Sequence, residues 1–197
     1  QYRPDHERRP QRVMYGSEST AMEAFQHWTS VQELDYVIGD FVWTALDYLG
    51  EAGIGRVRAE GDASFLGAYP WHHANCGDLD LCGFKRPQSY YRDVLWGNRA
   101  LSIMVHSPNE GECAPQLTYW GWPDVWPSWT WPGHEGKPIK VDIYSSCDRV
   151  ELFLNGRSLG SQPTGRQERL MATFGVQYEV GVLKAVGYVG DRQVAEC

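Results

Sequence analysis

The sequence predicts an α/β region followed by an all-β region, and three observations carry that reading. Strand-like runs in the first half are apolar on both faces and are separated by helical spacing, as in a parallel sheet covered by helices. The second half switches to strict period-two alternation, the mark of half-buried antiparallel strands. Between them, near residue 100, the pattern changes, so the chain divides into residues 1–99 and 100–197.

The elements follow in order. Arg12 to Tyr15 reads as a short strand that runs out into Gly16-Ser17-Glu18-Ser19. Ser19 or Thr20 can cap a helix through Met22, Phe25 and Trp28, which recur every three residues. Tyr36 to Trp43 is a second strand, and a Gly-rich loop follows from Gly50 to about Gly67. A long irregular stretch passes through Trp71 and Cys76 to Asp80. Pro87 to Trp96 reads as a helix with proline in its first turn. Leu101–Val105, Ile139–Tyr144, Val150–Leu154 and Leu183–Tyr188 read as strands. Asn155-Gly156 and Gly190-Asp191 are turn signals, the first a strong hairpin signal.

Composition narrows the function. The net charge is −7 with both signs interspersed, which lacks the basic patch a nucleic acid needs. No apolar run approaches a membrane span. Five cysteines, Cys76, Cys82, Cys113, Cys147 and Cys197, form no CxxC pair, and their odd number defines no disulfide framework. His72 and His73 are adjacent and point opposite ways on an extended backbone, so no metal is assigned, and no cofactor is called for. The N-terminal QYRPDHERRP has neither an initiator Met nor a signal-peptide core and reads as the interior of a longer protein. The compartment is not written in the chain, a periplasmic or secreted setting being compatible. Nine Trp and eleven Tyr are the unusual feature. Their flat apolar faces and polar edges suit the C–H faces and hydroxyl edges of sugars, although a Trp-rich core is an equal reading.

Four residues could bear chemistry. Glu18 ends a candidate parallel strand among small neighbours that leave room for a ligand; the alternative is a solvated surface carboxylate. Trp43 takes the equivalent end of the next strand, flanked by Asp40 and Asp47, as a sugar platform or as an apolar plug. Asp78 and Asp80, two apart on a loop, could hold sugar hydroxyls, or make Asx turns, the safer reading for Asp78. The Trp-rich stretch Trp120 to Trp131 reads as packing between the two domains, with one Trp at the edge of a sugar cleft as the other option.

Taken together, these motifs resemble a known family. Val13-Met-Tyr-Gly-Ser-Glu18-Ser and Gly39-Asp-Phe-Val-Trp43 through Gly55 are similar to the last two strands of the (β/α)8 TIM barrel of glycoside hydrolase family 2. Cys76-Gly-Asp-Leu-Asp80 through Tyr91 is similar to the loop leading into that barrel's final helix. Trp120 to Pro132, with Val150 to Gly160, resembles the immunoglobulin-like β-sandwich that follows the barrel in β-galactosidases of this family. The resemblance implies a barrel part over 1–99 and the sandwich, with its Trp-rich lead-in, over 100–197. It also implies a retaining β-glycosidase in which Glu18 is the nucleophile, Trp43 the platform under the sugar and Asp80 a border of the pocket. The general acid/base of the family stands in an Asn-Glu pair several strands earlier. Here Asn109-Glu110 lies beyond the barrel motifs, so that group is expected in a missing N-terminal part of the same protein. Gly83 to Gln88 carries no Asn-x-Lys element of the kind that holds a uronate, which favours a neutral sugar, galactose above all. The implied partner is a carbohydrate substrate; oligomerisation is left open. A β-glucuronidase of the same family and a non-catalytic carbohydrate-binding remnant are the alternatives.

Overall fold

In a computed structural model of the chain, residues 2–58, 64–108 and 116–197 are described. Grouped by contacts, the chain forms two compact units, and each is assembled from more than one stretch. The first includes residues up to 58, the stretch to Arg86, and Leu117–Trp122. The second includes Pro87–Gln116 and Pro123–Cys197.

The first unit opens with a helix that the sequence reading did not contain, α1 (Tyr2–Arg8). None of its residues is buried, so it has no apolar period to find. Asp5 holds it by accepting from Arg8 at 3.3 Å and Arg12 at 3.1 Å, and His6 stacks on Tyr36 at 3.6 Å. Strand β1 (Met14–Ser19) and strand β2 (Val37–Val42) pair in parallel, as expected for this half. The connection between them is a 3-10 turn (Ala21–Glu23) running into helix α2 (Ala24–Glu33). Thr20 is the residue that starts it, and its hydroxyl donates to the Glu23 carboxylate at 3.0 Å. The short strands beyond β2 include β3 (Tyr48–Leu49) and β4 (His73–Ala74), which pair antiparallel. The β1–β2 pair exposes large apolar side chains: Tyr15, Ile38 and Phe41 are all more than half exposed.

The second unit is a β-sandwich, preceded by helix α3 (Pro87–Leu95). One sheet contains β5 (Leu101–His106), β6 (Val125–Trp126), β7 (Pro138–Ser145) and β10 (Met171–Gln177), in the order β10-β7-β5-β6. The other contains β8 (Arg149–Leu154), β9 (Arg157–Pro163), β11 (Leu183–Val189) and β12 (Arg192–Glu196), in the order β9-β8-β11-β12. All neighbours are antiparallel. Asn155 and Gly156 both take positive φ, 52° and 78°, which closes the β8–β9 hairpin as the sequence predicts. The alternation has its reason in the core: Val141, Ile143, Val150, Leu152 and Ala185 are fully buried between the sheets. Each large side chain among them contributes about 1.5–3 kcal/mol by leaving water.

On the outer face of the first sheet, α3 packs against β5 and β7. Tyr91 stacks edge-on against Tyr144 at 5.2 Å, and its hydroxyl donates to the Arg169 carbonyl at 2.6 Å. Burial is the main reason its phenol is pushed up to about 12. From the Trp-rich stretch, Trp129 and Trp131 pack on the sandwich core, with the Trp129 indole donating to the Glu179 carbonyl at 3.0 Å. No described helix is long and apolar enough to cross a membrane.

Candidate active site

The parallel pairing of β1 with β2 decides where the predicted residues lie. Its register sets Gly16 beside Asp40 and Ser19 beside Val42. Glu18 is therefore one residue from the C-terminal end of β1 and is exposed. Trp43 follows the last residue of β2, and its amide donates to the Ser19 carbonyl at 3.1 Å. The two residues are thus brought to the same end of adjacent parallel strands.

Next to Glu18 in the chain begins a polar cluster. The buried Ser19 hydroxyl donates to the Asp40 carboxylate. His27 stands between two acids, 3.9 Å from Asp40 and 3.8 Å from Glu23. Gly16 makes room for this arrangement, because a Cβ there would come within 2.5 Å of the Asp40 carboxylate.

Trp43 is half-buried and rests on a small apolar cluster of Ile54, Ala74 and Cys76. Burial pushes the Cys76 thiol up, with Thr44 pulling the other way. Tyr48 meets the Trp43 ring edge-on at 6.1 Å, and Trp120 meets it at 6.3 Å with a 50° tilt. The Tyr48 hydroxyl donates to the Glu51 carboxylate. Its phenol is pushed up to about 12, by burial first and the Glu51 bond second.

The loop carrying Asp80 is stitched to the segment after Trp43 by main-chain bonds. Asp78 donates to Thr44, Leu79 to Ala45, and Asp47 to Leu79, each at 2.9 Å. The side chain of Asp47 adds a buried anchor: one oxygen accepts from the Gly77 amide at 2.8 Å, the other from Arg86 at 2.7 Å. His73 lies 4.0 Å away. Gly77 is required here, since a Cβ would fall 2.2 Å from the Asp47 nitrogen. Burial pushes the Asp47 carboxyl up, and Arg86, the Gly77 amide and His73 together offset only part of that.

Asp80 itself uses one oxygen to close its own loop, accepting from Cys82 at 2.8 Å and Phe84 at 2.9 Å. Asp80 thus makes an Asx turn. Asn109, Glu110 and Cys113 lie outside the described residues. Sequence reasoning noted Asp47 only as a neighbour of Trp43 and gave Arg86 no role. It left open which Trp of the Trp-rich stretch belongs near Trp43. Spacing could not have paired Asp47 with Arg86, which are 39 positions apart.

With this geometry in view, similarity to known proteins becomes informative. Residues 136–195 match the family model described as "Domain of unknown function (DUF4982)". Two solved structures of glycosyl hydrolase family 2 members from Bacteroides cellulosilyticus superpose on the whole chain. One has 42% identity and a TM-score of 0.88 over 26% of that chain, the other 38% and 0.80 over 23%. Among curated proteins, one of Formosa agariphila named "Putative beta-glucuronidase" is 30% identical over 91% of this chain. Beta-galactosidase BoGH2A of Bacteroides ovatus is 26% identical over 84%. The chain spans only 15% of the length of either curated relative. Matches that run through both units, from the strand bearing Glu18 to the sandwich, have one reading in common: the chain belongs to glycoside hydrolase family 2.

Proposed function

We propose that the chain is part of a retaining β-glycosidase, with a terminal β-linked galactose as the preferred substrate and Glu18 as the nucleophile. The observation that carries this is the shared end of β1 and β2, where an exposed carboxylate and a half-buried indole stand on neighbouring strands. In family terms, residues 1–99 are the last part of a (β/α)8 barrel and 100–197 its following immunoglobulin-like domain. The exposed apolar side chains of Tyr15, Ile38 and Phe41 support the first assignment, since such residues suit a sheet that continues and is covered.

The chemistry is a double displacement. A Glu18 oxygen attacks the anomeric carbon as the glycosidic C–O bond breaks, and the leaving oxygen takes a proton from an acid outside this chain. Water, deprotonated by the same group, then attacks the anomeric carbon and releases Glu18 as a carboxylate. Trp43 supplies the apolar surface for the sugar ring, and Asp80 borders the pocket. The chain alone, without that acid, is expected to be inactive.

A second reading has its own support. The 30% identical relative carries a β-glucuronidase name, so a glucuronide is the competing substrate. The experiment takes the full-length protein containing this chain and compares aryl β-galactoside with aryl β-glucuronide. A 2-deoxy-2-fluoro galactoside with a good leaving group should label Glu18, because slowed breakdown traps the intermediate. Label on Glu23 or Glu51 shows the wrong carboxylate. Inversion of the anomeric centre shows the wrong mechanism.

A further inference from the structure

Residues Leu117–Trp122 come from beyond α3 yet belong to the first unit. They are anchored there through Thr118. The buried Thr118 hydroxyl donates to the Arg56 carbonyl at 3.0 Å. Arg56 is itself buried, with its guanidinium on the carbonyls of Gly53, Ser64 and Phe65 at 2.9–3.1 Å. A turn from the Gly121 amide back to the Thr118 carbonyl, at 2.9 Å, then sets the direction of the two residues between them.

Those two residues reach the ends of both parallel strands. Trp120 meets the Trp43 ring at 6.3 Å with a 50° tilt, in addition to the edge-on contact of Tyr48 at 6.1 Å. Tyr119 packs edge-on against Trp120 at 5.1 Å, and its hydroxyl reaches the Glu23 carboxylate at 3.5 Å. Glu23 in turn holds Thr20, two residues after Glu18. Thr118 and Trp122 are buried, but the two residues between Thr118 and Gly121 are not: Tyr119 is 67% exposed and Trp120 is half-exposed.

We propose that the Tyr119-Trp120 strap positions the sugar platform, with Trp120 the positioning residue that sets the tilt of Trp43 relative to Glu18. A ring resting on an indole is only as well aimed as the indole itself. Trp43 has two aromatic neighbours, Tyr48 and Trp120, and a misplacement of about 1 Å at a reacting centre costs on the order of 100-fold. The inference rests on the reading of Trp43 as a platform and Glu18 as a nucleophile.

The test uses the full-length protein containing this chain, with Trp120→Phe, Trp120→Leu and Trp120→Ala. Thermal unfolding reads structure, and turnover of an aryl β-galactoside and an aryl β-glucuronide reads function. The rate of covalent trapping by the 2-deoxy-2-fluoro galactoside isolates the first step. Trp120→Phe should keep kcat/KM within about threefold, because an aromatic wall remains. Trp120→Leu keeps apolar bulk without the ring and should lose about 10- to 100-fold in both kcat/KM and trapping rate, with Tm nearly unchanged. If the Ala variant fails to fold, the Phe–Leu pair decides alone. A Leu variant within twofold of wild type overturns the proposal, as does a Phe variant that falls as far as Leu at wild-type Tm. A wild-type protein that turns over neither glycoside refutes the functional reading instead, a distinguishable result that removes the basis of this one.

Discussion

Replacing Asp47 with Asn tests whether the buried anchor holds the Asp80 loop. The substitution is nearly isosteric but removes the charge opposite Arg86 and turns one acceptor into a donor that faces the guanidinium. Breaking a buried pair by removing one partner costs about 3–5 kcal/mol. The Asp47 side chain is fully buried, but Arg86 is 29% exposed and recovers some hydration. That reduces the expected cost to about 2–4 kcal/mol. At about 1.4 kcal/mol per decade, the amides of Asp47, Gly77 and Leu79 should exchange about 30- to 1000-fold faster in the variant at neutral pH. Exchange is the right assay because it reads the opening of this loop separately from the sandwich. The pH dependence has a definite sign. Burial raises the folded carboxyl pKa, so its contribution to stability is complete below the unfolded value of about 3.9 and is lost as pH rises through the folded value. Asn does not titrate, so the ratio of variant to wild-type exchange should shrink as pH rises through the carboxyl range. Acceleration below threefold, or a ratio that grows with pH, refutes the account.

Three further outcomes follow from the same structure. Leu152→Ala, at a fully buried core position, should cost about 2–5 kcal/mol in denaturant unfolding, and a loss under 1 kcal/mol would mean the sheets close over the gap. Tyr48 and Tyr91 should be the late phenols in an ultraviolet titration, ionising near 12 rather than 10.0, with Tyr48→Phe and Tyr91→Phe each deleting one late step. Their raised pKa values contribute stability that is intact below about 10 and lost as pH climbs through about 12, so each Phe variant should unfold with less alkaline sensitivity. Glu18→Gln in the full-length protein should abolish most of kcat while leaving thermal unfolding unchanged, since an exposed, near-isosteric change removes charge but no packing.

The sandwich was legible where its physics is local: alternation in β8 and the Asn155-Gly156 turn each declare a face or a reversal within a few residues, whereas β10, which alternates too, was not read as a strand. The parallel pair was legible for a similar reason, as an apolar strand whose neighbour lies one helix away. Strand β9 escaped notice because all seven of its residues are exposed or half-exposed, and helix α1 because none of its residues is buried. Around Trp43, the chain positions were readable but the contacts were not. Asp47 with Arg86, and Trp43 with Trp120, are encounters between residues far apart in sequence, brought about by main-chain stitching that no residue pattern announces.

The contribution of residues 117–122 to the first unit bears on how the protein can be taken apart. The chain crosses between its two compact units at 86/87, 116/117 and 122/123. No single truncation therefore yields either unit complete: stopping at residue 99 leaves Trp43 without Trp120, and starting at 100 removes α3 from the sheet it covers. Long-range closure of this kind is slow to form, since the strap must find its place after the 30 intervening residues between Arg86 and Leu117 have been ordered or bypassed. Independent exons, proteolytic halves or swapped modules would have to respect an interwoven boundary, and a graft of the sandwich alone would carry away part of the wall beside Trp43.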